Sequence, residues 1–136
     1  MVESVTQEIF EVASKTRRIF SEMLADCDAA GETKGTCAYA TFLAMMTVNQ
    51  FTDYRAIPRG GDGETDGGYF DHAGGHGHYW LEVQTPVGAF ILDITADQFG
   101  GNEVVVLPAA GNKQYLPGDQ ELVDAQFVEF TASITQ

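Results

Sequence analysis

Apolar positions return at helical spacing near the start of the chain. Val5, Ile9, Val12, Ile19, Phe20, Met23 and Leu24 fall on one stripe, with Glu8, Glu11, Lys15, Arg17 and Arg18 between them. That pattern predicts an amphipathic helix over 5–24. Ser4, with Gln7 three residues on, fits a capping box at its start. Asp28 to Gly35 reads as a loop. From Cys37 to about Gln50 the chain is apolar nearly all round (Ala38, Tyr39, Ala40, Phe42, Leu43, Ala44, Met45, Met46, Val48), as expected of a central helix covered on several sides. Thr36 stands where its N-cap belongs.

Beyond this helix the period shortens. Arg55-Ala56-Ile57-Pro58 suggests a short strand, and Pro58 favours an edge or strand end. Residues 60–77 hold eight glycines and read as a flexible surface loop, or a flap beside the strand that follows. No Gly-Lys-Ser/Thr ending and no following helix make it a phosphate loop. Strands are expected at about 78–84 and 89–95, joined through Thr85-Pro86-Val87-Gly88, and again over 103–107. Asp119 to about Thr131 reads as a helix.

Alternation along the expected hairpin sorts its side chains. Tyr79, Leu81 and Val83 share one face of the first strand, and His78, Trp80 and Glu82 the other. Phe90, Leu92 and Ile94 share one face of the second, and Ile91, Asp93 and Thr95 the other. The two apolar sets must meet the same core, because a one-residue slip would bury the wrong set. His78 and Asp93 therefore share a face. A two-residue loop at Pro86-Val87 pairs Thr85 with Gly88, and so His78 with Thr95. Asp93 becomes the diagonal neighbour of His78, roughly 7–8 Å away between alpha carbons.

This pairing gives the cysteine at the helix start a chemical meaning. A helix N-terminus carries unpaired N–H groups and about half a positive charge, which favour a thiolate and an oxyanion beside it. Alone, Cys37 reads as a buried inert thiol. With an imidazole and a carboxylate nearby, it reads as a nucleophile with a base and an orienter. Cys27 lies in Ala25-Asp26-Cys27-Asp28, where flanking carboxylates disfavour a thiolate, so it is expected to be dispensable.

Composition narrows the setting. A chain of 136 residues with 44% hydrophobic content is expected to form one domain, 1–136, around a single core. No apolar run is long enough for a transmembrane helix, and the N-terminus lacks the basic and apolar segments of a secretory signal. A cytoplasmic location with reduced thiols is expected. The formal net charge of −13 should repel nucleic acid and anionic membranes and suits a protein or peptide partner, possibly basic, unless it serves solubility alone. No cofactor is expected. A zinc module built from Cys27, Cys37, His72, His76 and His78 is the weaker alternative, because no Cys-x2-Cys is present.

Taken together, Gly35-Thr36-Cys37, His78-Tyr79-Trp80-Leu81-Glu82 and Asp93-Ile94-Thr95 resemble the three motifs of the transglutaminase-like cysteine enzymes, a branch of the papain-like group, and stand in the same order. The resemblance spans roughly residues 35–100. It implies an α+β fold with a papain/transglutaminase-like core, the cysteine helix packed on an antiparallel sheet. It implies Cys37 as nucleophile, His78 as general base and acid, and Asp93 as orienter. Its members hydrolyse peptide bonds, deamidate glutamine or transfer acyl groups to amines. Trp80 and Gln98 are the supporting or substrate-binding candidates, Trp80 as packing around His78; Glu82 is read as a structural hydrogen-bond partner. A catalytically inactive binding domain of the same fold is the remaining alternative, against which the intact trio argues.

Overall fold

The computed structural model describes residues 2–25 and 36–134; Cys27, Gly35 and the loop expected over Asp28–Gly35 lie outside them. Three helices and two antiparallel sheets make a mixed α+β fold. The helices are α1 (Val2–Ala25), α2 (Cys37–Phe51) and α3 (Gln120–Ile134). The strands are β1 (Arg55–Gly61), β2 (Gly68–Asp71), β3 (Gly74–His76), β4 (His78–Thr85), β5 (Gly88–Asp93), β6 (Val105–Pro108) and β7 (Tyr115–Leu116). The larger sheet has the order β1-β4-β5-β6, and the smaller the order β3-β2-β7.

The two faces of the larger sheet bury different chemistry. On one, Leu81, Val83, Phe90, Leu92 and Ile94 close against Ile9, Ala13, Phe20 and Leu24 of α1 and Ala40, Ala44 and Val48 of α2. These apolar contacts hold α2 in its place. On the other face Trp80 and Ile91 pack with Tyr69 and Tyr115, and both tyrosines come from the smaller sheet. Helix α2 is central as its composition predicts, lying against α1, β1, β4 and α3.

The β4–β5 hairpin has the expected register, with Thr85 opposite Gly88 and Leu81 opposite Leu92. Pro58 sits on β1, an edge strand, where its missing N–H costs no ladder bond to a further strand.

Other expectations need correction. Helix α1 begins at Val2, so Ser4 lies inside it and the Ser4–Gln7 capping box does not form. The last strand of the larger sheet covers 105–108 rather than 103–107, and α3 runs on to Ile134. The largest departure is the glycine-rich stretch. Residues 60–77 are the end of β1, a turn, and strands β2 and β3, not a flexible loop. Glycine serves close backbone approach here. Gly68 has φ 128°, and a Cβ there would stand 2.6 Å from the His76 carbonyl oxygen and 2.8 Å from the Gly63 nitrogen. The turn before it is tied by the Asp62 carboxylate, which accepts from the amides of Glu64, Thr65 and Asp66.

An ion pair not foreseen from sequence fastens α1 to the end of β5. Arg17 donates to both carboxylate oxygens of Asp97, at 2.9 and 3.1 Å, and to the Ile94 carbonyl at 2.8 Å. This bidentate fork fixes the 3-10 turn Ala96–Phe99, which follows directly on Asp93 and Thr95.

Candidate active site

His78 opens β4 and Asp93 closes β5, so the hairpin register alone sets their spacing. His78 Nε2 lies 2.8 Å from Asp93 Oδ2, and both side chains are buried. The carboxylate is held from several directions. Its Oδ1 accepts the Thr95 amide at 2.9 Å and the Thr95 hydroxyl at 3.3 Å. Its Oδ2 also accepts the Tyr115 hydroxyl at 2.7 Å. The Thr95 contacts are local, two residues away, and follow from the Asp-x-Thr spacing.

Cys37 is the first residue of α2 and is half-buried. Thr36 takes the N-cap position, although its side chain makes no capping bond to the helix. Cys37 and His78 line the same cleft. His78 Nε2 is committed to Asp93, which leaves Nδ1 as the other ring nitrogen. The Gln98 carboxamide nitrogen lies 3.4 Å from the same Nδ1 and 3.3 Å from the Thr95 hydroxyl, on the 3-10 turn that Arg17 fixes.

Electrostatics within the group are strongly coupled. Burial alone would push the His78 pKa down. The Asp93 charge, the hydrogen bond to it and then Cys37 outweigh burial and raise it from 6.5 to about 9. Burial would raise Asp93, but the His78 charge and the bonds from His78, Thr95 and Tyr115 hold it below the usual carboxylate range. At neutral pH the pair is an imidazolium and a carboxylate.

A cleft of about 610 Å3 opens on Cys37 and His78, between the Asp62 turn and α3. Its lining includes Asp62, Asp66, Asp119, Tyr79 and Gln126. The Tyr79 hydroxyl donates to Gln126, tying β4 to α3. Trp80 does not reach this space. It is 1% exposed, with its ring stacked 6.2 Å from that of His78, and so packs rather than touching a substrate. Glu82 accepts from Arg59 at 3.1 Å, the structural role expected of it.

The histidines do not converge. His76 pairs with Asp71 at 3.1 Å while His78 pairs with Asp93, and no group of three metal-ligating side chains gathers among the described residues. Tyr115 was missed from sequence. It stands in a two-residue strand between Gly111 and Pro117, where no periodicity marks a buried position.

Compared with protein-family models, with curated proteins and with solved structures, the chain matches none.

Proposed function

We propose that this protein is a cysteine-dependent hydrolase or acyltransferase that acts on amide bonds through a thioester, with a core of the papain/transglutaminase type. The observation that carries this reading is an imidazole paired with a buried carboxylate and lining the same cleft as a thiol at a helix N-terminus. In this mechanism the Cys37 thiolate attacks the amide carbonyl and forms a tetrahedral oxyanion. The first N–H groups of α2 stabilise that oxyanion, with Gln98 as a supporting group beside the His78 ring. The C–N bond breaks as His78 passes its proton to the departing amine. A water or amine then attacks the thioester, His78 takes up its proton, and the thiolate is released. Asp93 keeps the ring oriented and its cation stabilised throughout.

The acidic cleft wall and the net charge of −13 support a basic protein or peptide segment as substrate, in a cytoplasmic setting where the thiol stays reduced. A peptidyl acyloxymethyl ketone, which captures activated thiols, tests the reading. Intact-mass and peptide analysis should find one adduct on Cys37 in the wild type, and none in His78→Ala under the same exposure. Equal labelling of the two proteins, or none of Cys37 in the folded wild type, would overturn it.

A further inference from the structure

The geometry points to Tyr115 as a positioning residue that shares the Asp93 carboxylate with His78 and so sets how tightly the imidazolium holds its proton. The inference rests on the proposed roles of Cys37, His78 and Asp93. Two donors converge on one oxygen: His78 Nε2 at 2.8 Å and the Tyr115 hydroxyl at 2.7 Å both meet Asp93 Oδ2. The other oxygen is satisfied by Thr95. Among the described residues, Tyr115 is thus the donor to Asp93 brought in by the smaller sheet.

That sheet holds the hydroxyl firmly. Tyr115 is 4% exposed and pairs with Tyr69 across β2 and β7. Its ring meets Trp80 edge-on at 5.3 Å and Tyr69 at 5.0 Å, and its amide donates to Asn112 Oδ1 at 2.8 Å. A buried hydroxyl left without an acceptor would be costly, so this bond is kept. The phenol itself stays protonated, because burial and the facing carboxylate push its pKa far above the ordinary tyrosine range.

The chemical consequence follows from charge sharing. A carboxylate oxygen that already accepts one short O–H bond offers less negative charge to a second donor. Tyr115 thus keeps the buried Asp93 ionised while loosening its hold on the imidazolium proton. Such loosening matters in the step where His78 must give that proton to the leaving amine. Too strong a carboxylate would make His78 a poor acid.

The experiment compares wild type with Tyr115→Phe, which removes only the oxygen and keeps the ring packing. The His78 imidazole is followed by nitrogen-detected NMR titration, which reads the Tyr115–Asp93–His78 chain whether or not Cys37 is a nucleophile. The expected result is an upward shift of the His78 midpoint by about half a pH unit or more, the scale of one lost charged hydrogen bond. On any substrate found, kcat should fall and its alkaline limb move up while KM holds. A superimposable His78 titration would overturn the proposal and make Tyr115 packing alone. Should Tyr115→Phe not fold, the wild type still decides. A slowly exchanging Tyr115 hydroxyl proton, downfield and close to the His78 Nε2 proton, is required, and its absence overturns the assignment. Failure of Cys37 to label would instead overturn the enzyme reading and leave this titration result standing.

Discussion

Asp93 is anchored by a neighbour close in sequence and completed by one far away: it takes two bonds from Thr95 and one from Tyr115. His78 has Asp93 on one nitrogen and the Gln98 carboxamide near the other. Because His78 keeps its proton up to about pH 9, the cleft that Cys37 lines holds a cation through the neutral range. In a Cys27→Ser background, which leaves Cys37 as the only thiol, iodoacetamide should alkylate the protein faster at neutral pH than it does a free cysteine. His78→Ala should slow that alkylation. Asp93→Asn should lower turnover on the order of a hundredfold or more by releasing the ring from its orientation. Wild-type alkylation no faster than that of an ordinary thiol, or Asp93→Asn at full rate, would refute this account. The His78–Asp93 meeting was legible from alternation and loop length, since both follow from a period of two. Tyr115 was not. A hydroxyl delivered by a two-residue strand leaves no periodic trace, and its partner lies 22 residues away.

At the scale of elements, legibility follows the length of the repeating pattern. Helices α1 and α2 and the β4–β5 hairpin carry runs long enough for a stripe or an alternation to show. Strands β2, β3 and β7 have four, three and two residues, and glycines occupy Gly68, Gly74 and Gly75 where alternating side chains would have marked them. Glycine in such a stretch suggests mobility, whereas here it permits backbones to approach. Shortening Gly61–Gly68 would therefore remove the end of β1 and the entry to β2, rather than trim a free loop. A milder test is Gly68→Ala. At φ 128° a Cβ is strained and also meets the His76 and Gly63 backbone. The cost should be about 1–3 kcal/mol, read as a lower denaturation midpoint. Because β2 pairs with β7, which carries Tyr115, the His78 midpoint in the surviving fold should move up as well. An unchanged midpoint would mean that the smaller sheet does not depend on this approach.

The whole molecule couples its stability to the charge state of the same pair. His78 has a folded pKa of about 9 against 6.5 unfolded, so its contribution is complete below pH 6.5 and drains away as pH rises towards 9. Asp93 is shifted the other way. Its contribution is present above the ordinary 3.8 and is lost as pH falls below that value through its lower folded pKa. The two windows overlap between about pH 4 and 6.5, where the fold should be most stable with respect to this pair. From there to pH 9 the loss should approach roughly 3 kcal/mol, from 1.36 kcal/mol per pH unit. Urea denaturation at steps across that range should show the wild-type midpoint falling steadily on the alkaline side. His78→Gln, which cannot take up a proton, should start lower and change much less over the same span. Parallel slopes for the two proteins would place the alkaline loss elsewhere, for instance in the excess of acidic residues. The pair would then be a feature of the cleft without consequence for the fold.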